Sequence, residues 1–273
     1  MYLDYWKLSS QPFEPIADRA ALYPCEAHEG ALVKLRYAIE NQRGAAILAG
    51  SAGTGKTLVA RLIEQQLDAR FAPFVRLVFP QMSSRDLLVY LAEELGAPPA
   101  EEPRHTVEES VRRLEFYLAQ NARLDRHAVV VVDEAHLLED CGALETLRLL
   151  LNFEVEAKPT LTLLLVGQMG LVSAVGRLPS LAERVAVSTL LRTLTAEETA
   201  GYVKHRLTAA GAARDLFTPD ALEALHYLGH GVPRQINRLA DLALLVGYAD
   251  RLNELTAEQI EAVSEELVAI SAT

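Results

Sequence analysis

Between Glu26 and Asn41 the apolar residues Ala31, Leu32, Leu35, Ala38 and Ile39 recur at a spacing that predicts one face of an amphipathic helix. The pattern then changes. Ala45 to Ala49 is a continuous apolar run ending at Gly50, and similar runs follow at Phe74 to Phe79, His127 to Val132 and Leu161 to Val166. Such β-branched or leucine-rich runs, with segments of helical periodicity between them, predict strands of a parallel sheet buried on both faces. The longest uncharged stretch, Pro159 to Gly176, reaches the lower length limit of a membrane span. It contains Thr160, Thr162, Gln168, Ser173 and Gly167, so it reads instead as a strand, a turn and a helix start.

Helix starts are written as Ser or Thr followed three residues later by an acid or Gln: Ser83/Asp86, Thr106/Glu109, Ser180/Glu183, Thr195/Glu198 and Thr256/Gln259. Each pair can satisfy amide donors that a helix leaves without partners. After Thr106 the residues Val107, Val111, Leu114 and Leu118 share a face, and the proline-rich segment Ala97 to Pro103 reads as the loop before them. Beyond about Leu194 strand signals stop. Helices are expected near Thr195, Thr218 (with Pro219 in the first helical position), Pro233 and Thr256. The expected division is an α/β core over residues 1–192 and a small all-helical domain over 193–273. Residues 1–24, with Tyr2, Tyr5, Trp6, Phe13 and Tyr23, are too irregular for one helix or strand and are expected to wrap the core.

Composition narrows the function classes. The chain has 273 residues, half of them hydrophobic (50%) and 23% charged, which is the balance of a folded globular protein. A formal charge of −11 opposes a surface given over to nucleic acid, although a local basic patch is compatible with it. Cys25 and Cys141 lie far apart without metal-ligand spacing, and the start MYLDYWKLSS lacks a basic segment followed by an apolar one. These features lead us to expect a cytoplasmic protein with reduced thiols.

The chemistry is concentrated in two places. Residues 50–57 (Gly50, Ser51, Ala52, Gly53, Thr54, Gly55, Lys56, Thr57) match the pattern Gly, any four, Gly, Lys, Ser/Thr, between a buried strand and a helix carrying Leu58, Leu62, Gln65 and Gln66. Small residues let backbone amides approach phosphates, Lys56 reaches the β and γ phosphates, and Thr57 offers a hydroxyl to Mg²⁺. The run Ala128 to Val132 then delivers Asp133 and Glu134 to the carboxyl end of a strand, where open α/β sheets bind ligands. Asp133 is the expected second holder of Mg²⁺. Glu134, one residue on, is placed to deprotonate an attacking water, which points to hydrolysis. No Asn-Lys-x-Asp segment for guanine occurs, so ATP is the expected nucleotide.

Asp133-Glu134-Ala135-His136 and the terminal Ser271-Ala272-Thr273 invite a helicase reading. That tripeptide stands at the end of this sequence rather than after the strand following the acidic motif, and the later part of the 139 residues after Glu134 reads as helical, so a second RecA-like domain is not expected there. His136 is expected only as a helix-start residue.

Over nearly its whole length the chain resembles AAA+ ATPases of the ExeA, or general secretion pathway protein A, group. The resemblance rests on Trp6, Leu8, Pro12 and Phe13, on Leu164 to Gln168, on His205-Arg206-Leu207 with Gly211, and on residues 231–237 (GVPRQIN). It implies a P-loop NTPase core followed by a helical lid. It also implies that Gln168 is the polar sensor near the γ-phosphate and that Arg234 is a lid arginine contacting phosphate in cis. Arg184 is implied as the arginine projected into a neighbouring subunit's site, with Arg177 as the competing choice. The group's usual Pro-Glu after Gly-Gln is Met169-Gly170 here. The expected function is ATP binding and hydrolysis with Mg²⁺, coupled to self-association into a ring or filament and to remodelling of a protein client, in a secretion or envelope-associated system. The alternative is an ATP-dependent DNA-binding regulator resembling transposition target-selection ATPases, with Arg234, Arg238, Lys204, His205 and Arg206 as its basic patch.

Overall fold

A computed structural model describes residues 2–14, 23–99, 106–138 and 142–271. Cys141, residues 15–22 of the aromatic segment, the end of the Ala97 to Pro103 loop and Ala272-Thr273 lie outside the described residues. The chain forms two compact units, one of residues 27–51 and 56–191, the other of residues 1–26, 52–55 and 192–273.

The first unit is a five-stranded parallel sheet. In chain order the strands are β1 (Ala45–Gly50), β2 (Phe74–Leu77), β3 (Ala128–Val132), β6 (Leu161–Gly167) and β7 (Val185–Leu191), with a short antiparallel pair, β4 (Glu154–Val155) and β5 (Lys158–Pro159), between β3 and β6. Across the sheet the order is β2-β3-β6-β1-β7. Alternation along each strand divides the core between two faces. Ala45, Ile47, Ala49, Val130, Val132, Leu163 and Leu165 meet helices α4 (Ser84–Leu95), α5 (Val107–Arg123), α6 (Ala143–Leu150), α7 (Gly170–Gly176) and α8 (Pro179–Ala182). Ala46, Leu48, Val129, Val131, Leu164 and Val166 meet α2 (Glu26–Glu40) and α3 (Lys56–Gln66). Helices on both faces explain why the runs of β1, β3 and β6 carry no charged residue.

The expected strands form, although β2 stops at Leu77 and leaves Val78 and Phe79 of the expected run exposed, and two features were not foreseen. β7 is an edge strand whose sequence VAVSTLL alternates half-buried or buried positions with exposed ones, a period-2 signal weaker than the buried runs. The β4–β5 pair is too short to show a period. Ser83, Thr106 and Thr195 cap their helices as expected, Thr195 in a full capping box with Glu198, while the Thr256 amide donates to the Gln259 side chain. Ser180 is different: it lies inside α8, whose cap position is Leu178, so the Ser180/Glu183 pair is not a capping box. Val107 is also exposed, and α5 buries Ser110, Leu114, Leu118 and Asn121. On α3 the buried face is Val59, Ala60, Leu62 and Ile63, not Gln65 and Gln66.

The second unit holds α9 (Ala196–Ala209), α10 (Pro219–Leu228), α11 (Pro233–Ala249) and α12 (Ala257–Ser271), with α1 (Tyr2–Trp6) joined to them. The aromatic N-terminal segment, expected to wrap the α/β core, thus belongs to the helical unit. Trp6 is buried and its indole N–H donates to the Leu244 carbonyl at 2.9 Å. A Cβ on Gly247 would come within 2.9 Å of the Trp6 ring, so this glycine makes the room the indole occupies. Phe13 meets Phe217 edge-on, and Arg206 donates to the Tyr202 hydroxyl and to the Glu14 carbonyl. Gly211, at φ +90°, lies against Ser9, whose amide and hydroxyl both donate to the Ala210 carbonyl. Two stretches that carried the family resemblance are therefore packed against each other.

Trp6→Ala should lower the stability of the helical unit by about 3–5 kcal/mol, the range for deleting a large buried aromatic. Urea denaturation followed by far-UV circular dichroism measures it; a change under about 1 kcal/mol would contradict the anchoring role. His127 supplies a pH test. It is buried at the start of β3 with Nε2 2.9 Å from the Thr162 hydroxyl, and burial pushes its pKa down from 6.5 to about 4. The unfolded chain then binds the extra proton between those values, so stability is complete above pH 6.5 and falls as pH drops toward 4. The expected slope is about 1.4 kcal/mol per pH unit. Comparing urea midpoints of wild type and His127→Asn between pH 7 and 4.5 isolates the term; parallel curves would refute it.

Candidate nucleotide site

Register places the chemistry. β6 lies between β1 and β3, with Ala49 opposite Gly167 and Val132 opposite Leu165, so the carboxyl ends of three adjacent strands finish nearly level. From these ends emerge residues 50–57, Asp133-Glu134 and Gln168. The sequence motifs, separated by up to 118 residues between Gly50 and Gln168, therefore converge on one edge of the sheet.

Within the sheet unit, Lys56 is buried at the first turn of α3 and its Nζ donates to the carbonyls of Gly50 at 3.0 Å and Ser51 at 2.8 Å. Thr57 donates its hydroxyl to Asp133 Oδ2 at 2.9 Å. A hydroxyl and a buried carboxylate side by side are the hard oxygen donors that suit Mg²⁺. Asp133 is fixed from both sides: its amide donates to the Leu77 carbonyl, and its Oδ1 accepts the Glu134 amide at 3.0 Å. Glu134 sits at φ +52°, a left-handed conformation that costs a glutamate about 1–3 kcal/mol and re-aims its side chain away from the strand direction. Gly53 and Gly55, at φ +82° and +98°, give the loop turns that other residues resist.

Two neighbours escaped sequence reasoning. Arg76 on β2 brings a guanidinium nitrogen to 3.8 Å from Asp133 Oδ2, and its Nε is buried without a hydrogen-bond partner. Its signal was a lone cation inside an apolar strand. His136, expected only as a helix-start residue, lies in a 3-10 turn (Ala135–Leu138) with Nδ1 3.4 Å from Glu134 Oε2, and it accepts the Gln168 amide at 3.3 Å. Gln168 itself is exposed at the end of β6.

The three arginines fall in different places. In the helical unit Arg234 opens α11, its side chain exposed and its amide donating to the Gly53 carbonyl at 3.3 Å. A Cβ on Gly53 would lie 2.8 Å from Arg234 Cβ, so the loop tip needs glycine for the approach as well as for its φ. Arg184 precedes β7 and pairs with the start of β1, where its carbonyl accepts the Ala45 amide. That is the opposite end of β1 from Gly50, about 17 Å away at strand rise. Its guanidinium donates to the Leu151 carbonyl and the Asn152 side chain. Arg177 is exposed at the end of α7. The structure thus gathers Lys56, Thr57, Asp133, Glu134 and Gln168 and does not bring Arg184 to the loop of its own chain.

The AAA domain family profile matches residues 39–175, spanning the loop, the acidic strand and β6. The chain belongs to the AAA domain family. It is similar to general secretion pathway protein A of Aeromonas hydrophila, with 34% identity over 99% of this chain and 49% of that protein. The chain thus spans about half the length of that relative, and the resemblance to the general secretion pathway protein A group holds across the N-terminal and C-terminal segments on which it rested. In fold it is similar to the Aeropyrum pernix ORC1 protein solved in complex with DNA (TM-score 0.68, 20% identity, 94% of this chain and 68% of that one). It is likewise similar to the Thermotoga maritima RuvB Holliday junction branch migration motor (TM-score 0.61, 19% identity, 94% and 74%). No helix among the described residues is long and apolar enough to cross a membrane.

Proposed function

We propose that this AAA chain binds and hydrolyses ATP with Mg²⁺, and that its turnover depends on a neighbouring copy. The observation that carries the reading is the Thr57–Asp133 hydrogen bond at 2.9 Å, which joins the phosphate loop to the acidic strand and leaves Glu134 one residue beyond. Residues 50–57 cradle the phosphates through backbone amides, and the Lys56 ammonium faces them. Thr57 and Asp133 hold Mg²⁺, which when bound offsets phosphate charge. Glu134 accepts the proton of a water whose oxygen bonds to the γ-phosphorus, while the bond to the bridging oxygen breaks and ADP leaves with the electron pair. Gln168 orients the water or γ-phosphate from β6. Arg234, at the start of α11, is the arginine that contacts phosphate in cis, the role the family resemblance implies.

Arg184 fits action in trans: its place at the amino end of β7 keeps it from its own loop. A second copy would supply it, and an arginine of that kind contributes roughly 10³ to 10⁵ in rate. Self-association is therefore part of the mechanism. The cellular reading, remodelling of a protein partner by a cytoplasmic ATPase in a secretion or envelope-associated system, rests on the similarity to general secretion pathway protein A.

Glu134→Gln should keep ATP affinity while turnover falls at least about a hundredfold. Titration with a fluorescent ATP analogue beside a phosphate-release assay separates the two; equal loss of both would sink the general-base role. Arg184→Ala subunits and Glu134→Gln subunits, each inactive alone, should regain part of the activity when mixed, because some interfaces then hold one intact Glu134 and one intact Arg184. Absence of recovery at any mixing ratio would overturn the trans assignment.

A further inference from the structure

His136 connects the two strand ends that frame the site. Its Nδ1 accepts the backbone amide of Gln168 at 3.3 Å and stands 3.4 Å from Glu134 Oε2. One imidazole nitrogen has either a lone pair or a proton. Accepting from Gln168 requires the lone pair, while donating to the Glu134 carboxylate requires the proton, so the two bonds exclude each other at that atom. The ring is also held close by design of the backbone: a Cβ on Gly167 would lie 3.1 Å from the His136 amide nitrogen and 3.3 Å from Nδ1. Glu134, half-exposed and in a left-handed conformation, needs an external group to fix its carboxylate.

We propose that His136 is a positioning residue for hydrolysis, with Nδ1 exchanging between the Gln168 amide and the Glu134 carboxylate. In the first arrangement the end of β6 is tied to the 3-10 turn and Glu134 faces a lone pair, which repels its oxygen and leaves it unheld. In the second, the ring proton has moved from Nε2 to Nδ1 by exchange with solvent, Nδ1–H holds Glu134, and the Gln168 amide is released. A change at Gln168 on nucleotide binding is thereby passed to the base one strand away. The inference rests on the hydrolytic reading above and adds the residue that links its sensor to its base.

Asparagine places an amide near the Nδ1 position of histidine, and glutamine near Nε2, so the pair tests which nitrogen acts. His136→Ala should lower kcat roughly tenfold to a hundredfold, the scale of a misplaced catalytic group, with ATP affinity within twofold of wild type. His136→Asn should restore most of the rate and His136→Gln should not. Equal rates for the Asn and Gln variants, a wild-type rate for the Ala variant, or a parallel loss of ATP affinity would overturn the assignment. Gly167→Ala is the second probe should His136→Ala fail to fold: it displaces the ring and should lower kcat while ATP affinity is kept, and an unchanged kcat overturns the proposal. Wild-type protein that binds ATP without turnover would remove the hydrolytic reading and this inference together, whereas turnover that ignores the identity of residue 136 removes only the inference.

Discussion

Parallel registration of β1, β6 and β3 is the constraint on which the rest of the site depends. Because Ala49 is opposite Gly167 and Val132 opposite Leu165, the strands release their chains at one level. A shift of one residue would turn the alternating core positions to the wrong face, moving Ile47 or Val130 out of one cluster of helices and into the other. Hydrophobic burial thus fixes the register, and the register fixes the separation of Thr57, Asp133, Glu134 and Gln168. The Thr57–Asp133 bond is a consequence of this alignment as well as a brace upon it.

The helical unit is organised around a different constraint, the anchoring of an N-terminal segment too short to fold alone. Trp6 bonds to the Leu244 carbonyl, Tyr2 to Asp241 and Tyr5 to the Leu252 carbonyl, so three aromatic side chains within five residues are tied to α11 and the turn after it. Arg206 is spent on Tyr202 and the Glu14 carbonyl, which makes it part of the packing. The basic patch in which sequence reasoning placed Arg206 therefore loses a buried cation, and Lys204 is paired with Asp215 at 3.4 Å.

The parts legible from the sequence were those with a strong local signal. Continuous apolar runs located β1, β3 and β6, and the phosphate loop was readable because its glycines and lysine are adjacent in the chain. β7 was missed because an edge strand buries only alternate positions, and the N-terminal segment was assigned to the wrong unit because no periodicity says which core an aromatic cluster joins. Arg76 and His136 were illegible for another reason. Their neighbours, Asp133 in one case and Glu134 with Gln168 in the other, become neighbours only through strand order and a 3-10 turn.

Arg184 shows how topology limits mechanism. β7 runs parallel to β1, so a residue just before β7 must lie where β1 begins, and the phosphate loop must lie where β1 ends. No side-chain rotamer spans the strand, since an arginine reaches about 7 Å and the rise from Ala45 to Gly50 is about 17 Å. Any role for Arg184 at a γ-phosphate therefore belongs to a different copy of the chain. The same edge strand that escapes detection in the sequence separates the arginine from its own nucleotide site, and a hydrolytic centre that uses it is complete only between subunits.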